Sequence, residues 1–461
     1  MRIGMIFISI SLIVGALFTL MGASYALAGW LESLELFAGA GHLGAILVQM
    51  LVMVMVTATL LTLAERKWSA LMQDRVGPNR ARLPIPGLKD NPLAGLPHIA
   101  TDVLKMLTKE AFRPKAASKF LFNLGPILAF APVFALFAIV PAGPTVEVMG
   151  KQVMMVAANP DFGLLFLFAI ASLAVYGTSL AGWASNNKFG LLGGVRASSQ
   201  MVSYEVALGL SLVGMMLAFS TVKLAGPTGM TELQAPYLWS FNLLGLDVGI
   251  PRWGIFLQPL GFLLFFAAAF AETKRAPFDT PEGESEIVGY FIEYSGMQFG
   301  MFMISEFVEV VVLSGVLAAI FFGGYYLPFG NEALMGLPVM KAHPWLLGAT
   351  LGTVFWLKVI LLCYLQLAIR WTFPRFRYDQ IQTLGWKILL PLGLANLFIS
   401  GALVLWDPSL HSLALFGFVV LGVIVFLTLT PSRQVRLAKQ AEEAHGGHGH
   451  GDDHSLPANT H

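Results

Sequence analysis

The sequence predicts an all-α, polytopic membrane protein. Of its 461 residues, 56% are hydrophobic and 12% are charged, whereas about 25% of residues are charged in a typical soluble domain. Its apolar runs are continuous rather than alternating in segments of about ten residues, which argues against a transmembrane β-barrel. The 28 Lys and Arg against 27 Asp and Glu also exclude a strongly basic nucleic-acid-binding protein.

About ten runs are predicted to cross the membrane by ordinary hydropathy. Each is nearly free of charge over a length that suits a transmembrane helix, about 20 residues. The predicted spans are Ile3–Trp30, Leu36–Ala64, Phe120–Val146, Phe162–Asn187, Val206–Val222, Trp253–Ala271, Val310–Asn331, Ala342–Ile369 (which includes Lys358), Ile388–Trp406 and Pro408–Ser432.

The first run has two interpretations. Met1-Arg2 precedes a long apolar stretch that ends in Ala26-Leu27-Ala28-Gly29, a pattern that resembles a cleavable secretory signal. An uncleaved anchor helix is the alternative. Neither interpretation changes the orientation of the spans that follow.

Basic residues predict the orientation of the spans. Segments 65–119, 184–196, 272–297, 370–387 and 433–439 carry 11, 2, 2, 4 and 3 of the 28 Lys and Arg residues. The positive-inside rule places these segments, and both chain ends, in the cytoplasm. We call this the inner side of the membrane and the opposite side the outer side.

Cysteine and histidine offer little for metal or redox chemistry. Cys363 is the only cysteine, so the chain alone forms neither a disulfide nor a Cys-ligated zinc or iron–sulfur site. Residues 445–454 are rich in His and Gly. A disordered, solvated tail is the simpler interpretation of this composition, with incidental metal affinity as the alternative.

Two inner segments have unusual patterns. Ile99–Glu110 is amphipathic at 100° per residue and too short to span, which predicts an interfacial helix or a helix that covers the bundle end. Segment 272–297 holds six carboxylates against Lys274 and Arg275. Close carboxylates raise one another's pKa and share protons, although a solvated acidic loop would have the same composition.

Charged residues within predicted spans are costly and indicate function by default. Glu205 would lie about 13 Å into its helix if that helix begins at residue 196. Glu306 would lie at a similar depth in a helix that begins near residue 297, with Glu309 one turn later. Two carboxylates at matched depth predict a proton-conducting or hydrated path. An internal ion pair, such as Glu309 with Lys358, is the alternative.

Taken together, these segments resemble the H subunit of the proton-translocating NADH–quinone oxidoreductase, respiratory complex I. The resemblance runs from about Leu43 to Trp406 and is most specific in two strings, Ala271 to Asp279 and Pro374 to Gln380. The other matching residues are Ala64 to Lys67, Arg75 to Asn79, Asp102 to Lys105, Lys109 and Glu110, Ala181 to Lys188, Arg196, Gln200, Ser203 to Glu205, Pro281 to Glu286, Glu293 to Gly296, Lys358 and Leu384 to Lys387.

The resemblance implies an eight-helix core with one extra hydrophobic segment at each end. Residues 1–35 would form the extra N-terminal anchor or signal-like segment, and residues 36–407 the transmembrane core of the family. Residues 408–432 would form an extra C-terminal helix and residues 433–461 the tail. Residues 80–92 depart from the family's short Gly-Pro stretch, so the entrance beside them would differ in shape.

The resemblance also implies a function. Such a chain anchors the hydrophilic arm of the complex, forms the chamber that quinone enters, and couples quinone reduction to proton translocation. Quinone would be the substrate, and the chain alone would bind no cofactor, because flavin and iron–sulfur clusters lie in partner subunits. Its partners would be the other complex I subunits and membrane lipid, in the bacterial inner membrane.

Site residues follow from the same resemblance, position by position. None would be catalytic in its own right or ligate a metal. The quinone chamber would include Glu65, Arg66, Arg75, Arg275, Phe278, Asp279, Arg375, Arg377 and Asp379. Proton coupling would use Glu205, Glu272, Glu282, Glu284, Glu286, Glu293 and Glu306.

Two other functions fit the composition less well. The anchor subunit of a membrane-bound hydrogenase-type complex would match the Ala271–Asp279 and Pro374–Gln380 regions less fully. A free-standing ion transporter would be expected to show an internal repeat, and its loops would not need the large charged surfaces suited to docking. The sequence does not distinguish ubiquinone from menaquinone.

Overall fold

The computed structural model describes residues 2–33, 52–81, 95–243, 246–283, 286–329 and 331–430. Among these residues, eight helices are long and apolar enough to cross a membrane, and a ninth apolar helix is shorter. The predicted all-α, polytopic class is therefore confirmed. Two antiparallel hairpins, β1 with β2 and β3 with β4, are the sheets of the described residues.

We number the elements in chain order. The helices are α1 (Arg2–Ser33), α2 (Met55–Met72), α3 (Pro97–Thr108), α4 (Lys119–Leu136), α5 (Gly163–Ala184), α6 (Lys188–Phe219), α7 (Met230–Leu233), α8 (Gly254–Leu257), α9 (Pro259–Glu272), α10 (Gly296–Phe321), α11 (Asn331–Gly336), α12 (Pro338–Ala342), α13 (Pro344–Thr372), α14 (Tyr378–Thr383), α15 (Leu390–Trp406) and α16 (His411–Leu429). A 3₁₀ turn spans Phe137–Ile139 and a π-helical turn spans Leu384–Leu389. The strands are β1 (Val146–Val148), β2 (Lys151–Val153), β3 (Tyr237–Leu243) and β4 (Leu246–Pro251).

Several helix ends differ from the predicted span ends. The helix α6 begins at Lys188, earlier than both the predicted span start at Val206 and the suggested helix start at residue 196. The helix α10 begins at Gly296, close to the suggested start near residue 297, although its charge-free run begins only at Val310. The predicted ends followed the limits of charge-free runs. These helices continue through charged residues because the bundle interior receives those side chains, so lipid does not have to solvate them.

The helix α10 is the centre of the bundle. It packs against α2, α3, α4 and α13, and every residue from Ser305 to Phe321 is buried. The short helix α3 forms where the sequence predicts an amphipathic helix, and it contacts both α2 and α10. The inner ends of α2, α3, α10 and α13 therefore meet around one region.

The N-terminal helix α1 packs closely against α13. A Cβ atom on Gly348 would lie 2.7 Å from the rigid ring of Tyr25, so glycine allows this close approach, and one on Gly352 would lie 2.1 Å from Met21 Cε. The Tyr25 hydroxyl is fully buried and donates to the carbonyl oxygen of Pro144 at 2.8 Å. At the other end of the chain, α16 packs on α8, α9 and α15.

Candidate functional site: a charged network at the inner ends of the helices

Glu65 joins two arginines from distant parts of the chain. Its Oε2 lies 2.9 Å from Arg275 Nη1 and its Oε1 lies 2.6 Å from Arg370 Nη1. The Arg275 side chain is 8% exposed, and its guanidinium lies 3.9 Å from the ring centroid of Phe307 in α10. This cluster ties together α2, α10, α13 and the acidic segment.

A cavity of about 670 Å³ lies beside this cluster. Arg66 also pairs with Asp102 of α3 at 2.6 Å, and Arg75 Nε donates to Gln73 Oε1 at 2.6 Å. The cavity therefore presents several cationic groups together with the Glu65 carboxylate. Its lining residues are Glu65, Arg66, Ser69, Arg75, Val76, Gly77, Pro78, Asn79, Arg80, His98 and Trp371.

A second cavity, of about 360 Å³, lies between α3 and the start of α10. It combines the Arg66–Asp102 pair with apolar and aromatic side chains. Its lining residues are Arg66, Asp102, Lys105, Met106, Lys109, Tyr294, Ser295, Gly296, Phe299 and Met303. The two cavities share Arg66, so one side chain borders both.

The start of the acidic segment is held by backbone contacts and an ion pair. Gln200 Nε2 donates to the carbonyl oxygens of Ala271 and Phe278, each at 2.8 Å. Asp279 accepts from Arg375 at 2.9 Å. Burial raises the pKa of Asp279 to about 6, against the lowering effect of the Arg375 guanidinium.

Phe278 and four predicted charged residues have simpler surroundings. Phe278 is buried, with its ring centroid 5.6 Å from that of Tyr204 and 5.4 Å from that of Phe376. The other four make local or surface contacts: Arg377 with Asp379 at 3.4 Å, Glu286 with Arg196 at 2.7 Å, and Glu293 accepting from Asn187 at 2.7 Å. Glu284 lies outside the described residues.

Lys274 is a buried cation among carboxylates. Its exposed fraction is 4%, as is that of Glu272 and Glu309, and Glu306 is 8% exposed. Burial lowers the pKa of Lys274, but the neighbouring Glu309, Glu306, Glu282 and Glu272 raise it, and the net shift is upward. The protonated lysine is therefore the stable form while these carboxylates are charged.

Glu282 adds a coupled carboxyl group next to Glu306. Burial raises the pKa of Glu282 well above its ordinary value, and the Glu306 carboxylate raises it further. Buried carboxyl oxygens of Glu272, Asp279 and Glu282 have no hydrogen-bond partner among the described residues. An unpaired buried carboxylate is costly, so protons held by this group lower its energy, and neighbouring members can share them.

The deepest carboxylates meet at a small internal cavity. Glu205 of α6, Glu272 of α9 and Glu309 of α10 all line it, and its volume of about 20 Å³ is enough for one water molecule. The suggested helix start at residue 196 is wrong: α6 begins at Lys188, so Glu205 lies about 25 Å along its helix and not about 13 Å. The suggested Glu309–Lys358 pair is also wrong, because Lys358 donates to backbone carbonyls beyond the end of α10.

The described residues contain no group of three or more His, Cys, Asp or Glu side chains arranged to hold a metal ion. Cys363 is buried, and its sulfur lies 3.4 Å from Ser314 Oγ. This cysteine is therefore part of the packed interior of the bundle. The His-rich tail lies outside the described residues.

Sequence reasoning missed two members of the network. Charge bias places Arg370 on the inner side, but nothing in its local pattern pairs it with Glu65, 305 positions earlier. From the sequence, Lys274 is recognisable only as a positive charge that offsets the carboxylates of its segment. Its position directly before Arg275 was the available signal, because two adjacent cations in an acidic segment are difficult to bury without several carboxylate partners.

Comparison with known proteins identifies the family. Residues 45–401 match the family model described as NADH dehydrogenase. An NADH-quinone oxidoreductase H subunit of Cytophaga hutchinsonii is 40% identical over 353 residues, which cover 76% of this chain and 93% of the relative. The H subunit of Bdellovibrio bacteriovorus is 40% identical over 387 residues, which cover 80% and 97%, and NADH-quinone oxidoreductase subunit 8 of Rhodothermus marinus is 40% identical over 346 residues, which cover 75% and 92%. The chain, a multi-pass membrane protein, therefore belongs to the NADH dehydrogenase family and is a relative of the H subunits of NADH-quinone oxidoreductases.

Proposed function

We propose that this chain is the membrane subunit that admits quinone to a proton-translocating NADH–quinone oxidoreductase and relays its reduction to proton movement. It anchors the hydrophilic arm of the complex in the bacterial inner membrane. Flavin and iron–sulfur clusters reside in partner subunits, and quinone is the substrate that this chain contacts. The names of its relatives support this assignment.

One observation carries the proposal: the larger cavity and the buried carboxylates share a charged network. Glu65 lines the cavity of about 670 Å³ and pairs with Arg275. Arg275 directly follows Lys274, whose pKa responds to Glu309, Glu306, Glu282 and Glu272. A change of charge in the cavity is therefore transmitted to the carboxylates through two adjacent residues of the backbone.

The chemistry follows from electrostatics. Reduction of a quinone to a quinol adds two electrons and consumes two protons, so negative charge or proton demand arises in the chamber. An anion there repels the Glu65 carboxylate, which pairs with Arg275, and a shift of this pair alters the field at Lys274. Because the pKa values of close carboxylates are coupled, the altered field shifts protons among Glu282, Glu306 and the deeper carboxylates.

The second cavity fits a side entrance for a quinone. Its lining combines the Arg66–Asp102 pair with the aromatic and thioether side chains of Phe299 and Met303. A quinone has a polar headgroup and an apolar tail, and an entrance at the membrane interface must accept both. The amphipathic helix α3 forms one wall of this cavity, which is consistent with an interfacial location.

Glu306, which neighbours both Lys274 and Glu282, provides the test. In assembled complex reconstituted into vesicles, Glu306→Gln is expected to lower the number of protons translocated per electron by at least about half, because a neutral amide cannot exchange a proton at that position. Glu147→Gln is the matched control, since Glu147 is an exposed residue of the β1–β2 hairpin. An unchanged proton-to-electron ratio in Glu306→Gln would remove proton coupling from the proposal.

The alternative functions make different predictions. A hydrogenase-type anchor would copurify with hydrogenase activity, and a free-standing transporter would work as a lone oligomer. The proposed subunit instead copurifies with flavin and iron–sulfur subunits and shows rotenone-type inhibition. The names of the relatives favour this third outcome.

A further inference from the structure

Lys358 lies near the middle of α13, and its ammonium group is bound by backbone carbonyls. Nζ donates to the carbonyl oxygens of Phe322 at 2.7 Å, Gly324 at 2.8 Å and Tyr326 at 2.5 Å. It also lies 4.4 Å from the ring centroid of Trp253. Since an ammonium group has three N–H donors, these carbonyls satisfy all of them.

The three carbonyls belong to the turn that ends α10. Gly323 and Gly324 have φ values of +68° and +55°, a left-handed backbone that glycine adopts without strain. A Cβ on Gly323 would lie 2.1 Å from Trp253 Nε1, so the turn is also too crowded for a side chain. The carbonyl end of a helix is partially negative. Lys358 therefore acts as a cationic cap on α10, supplied by a neighbouring helix.

A carboxylate from another outer connection is tied to the same turn. Tyr325 and Tyr326 both donate their hydroxyls to Glu232 of α7. Gln234 Oε1 accepts from the backbone N–H of Gly323 at 3.2 Å, which fixes the turn from a second direction. We define the outer clamp as Glu232, Gln234, Trp253, residues 322–326 and Lys358.

The outer clamp sets the axial position of α10. Glu309 lies 13 residues before Phe322, about 20 Å along the helix. Every residue between them is buried, so this part of α10 moves as one packed rod. A shift of α10 by about 1 Å against α13 would stretch the ammonium–carbonyl distances beyond hydrogen-bonding range. The depth of Glu309 is therefore coupled to the position of Lys358.

The helix α13 is linked to α10 at two positions, through Lys358 near its middle and through Arg370 near its inner end. Arg370 lies twelve residues after Lys358 on α13 and pairs with Glu65. Glu65 pairs with Arg275, whose guanidinium lies over Phe307 of α10. The helices α10 and α13 are thus linked at the inner end by a charge network and at the outer end by the clamp.

We propose that Lys358 is a positioning residue for proton coupling: it fixes the outer end of α10, so that a change at the inner network alters the carboxylates of α10 instead of displacing the whole helix. This inference rests on the proposed function, because it assigns a task within that coupling. An arginine would not replace the lysine, since its planar fork cannot direct three hydrogens at converging carbonyls.

The test separates coupling from assembly. Lys358→Met retains the length of the side chain and removes its charge and donors, and Lys341→Met is the control on α12, where the lysine is exposed. Quinone reduction per assembled complex is expected to stay within about twofold of wild type in both variants, while protons translocated per electron fall by about half in Lys358→Met alone. Lys358→Arg should show the same lowered ratio.

Three outcomes would overturn the inference. The first is a wild-type proton-to-electron ratio in assembled Lys358→Met. The second is that a smaller amount of assembled complex fully accounts for the losses of quinone reduction and proton transport in Lys358→Met. If Lys358→Met does not assemble, a second variant, Tyr326→Phe, is measured instead. It keeps the backbone carbonyl but loses the hydrogen bond to Glu232, and it must lower the proton-to-electron ratio. A wild-type ratio in Tyr326→Phe is the third outcome. A lowered ratio in Glu306→Gln beside a wild-type ratio in Lys358→Met would leave the proposed function intact and reject this inference alone.

Discussion

Arg275 and Lys358 are both cations inside the helix bundle, but their partners differ in kind. Arg275 pairs with the Glu65 carboxylate and lies over an aromatic ring, whereas Lys358 donates to three backbone carbonyls. A carboxylate is charged and can be neutralised by a proton, whereas a backbone carbonyl is neutral and takes up no proton at ordinary pH. The inner site is therefore suited to respond to chemistry, and the outer site is suited to hold position.

Arg275→Met would break the inner arrangement and should have the largest effect. It leaves Glu65 with the Arg370 pair and removes the cation over Phe307. Breaking a buried pair costs about 3–5 kcal/mol. Since about 1.4 kcal/mol of lost positioning is a factor of ten in rate, we expect quinone reduction per assembled complex to fall at least tenfold.

The control for this variant is Lys341→Met, because Lys341 lies on α12 outside the charged network and its side chain is exposed. Its rate should stay close to that of wild type. Equal rates in the two variants would show that burial of Arg275 has no consequence for quinone reduction, and the contrast between the inner and outer cations would fail.

Asp279→Asn tests whether the inner site titrates. The pKa of Asp279 is about 6 in the folded protein and 3.8 ordinarily. The folded state thus binds this proton more tightly, and the free energy of unfolding contributed by this group falls as the pH rises from 3.8 to about 6. Thermal midpoints of the purified complex between about pH 5 and pH 7 should therefore fall less steeply in Asp279→Asn. Identical slopes in the two proteins would contradict a raised pKa.

Tyr25→Phe extends the comparison to an uncharged side chain that donates a hydrogen bond to a backbone carbonyl. It removes the bond to the Pro144 carbonyl, and a hydrogen bond of this kind contributes about 1 kcal/mol. A small decrease in the thermal midpoint is expected, with quinone reduction and proton transport unchanged. A loss of proton transport would show that α1 does more than pack against α13.

The same packing predicts the fate of the N-terminal run. Ala28 is fully buried, and a Cβ on Gly29 would lie 2.6 Å from Val148 Cγ1, so the signal-like residues are engaged with the β1–β2 hairpin. We therefore expect α1 to be retained. Mass spectrometry of the purified protein should detect residues that precede Ala26, and a chain that begins near Gly29 would contradict this.

The fold class could be predicted because long apolar runs leave few alternatives to a helix bundle in a membrane. Helix ends were less predictable where charges are buried. The helix α6 carries Glu205 inside the bundle, and a rule that ends spans at charges places its start too late. The start of α10 agrees with the prediction near residue 297, although its charge-free run begins only after Glu309.

Members of the candidate site could be predicted as types of residue, but their pairing could not. The acidic segment is visible in the composition, and the inner location of Arg370 follows from charge bias. That Arg370 meets Glu65 depends on how α13 packs against α2, which no local pattern records. The clamp at Lys358 could not be predicted for another reason. Its hydrogen-bond acceptors are backbone carbonyls, which every residue type has.

The buried middle of α10 has an electrical consequence. Residues 310–321 contain no charged side chain, so this stretch insulates the carboxylates near Glu309 from the outer solution. Glu205 and Glu309 line one small cavity, so a proton that passes between them crosses little of the membrane potential. Carrying a charge across the whole membrane requires about 2.3 kcal/mol per 100 mV. The step between Glu205 and Glu309 should therefore be nearly insensitive to voltage, and the electrical work of translocation falls to other steps.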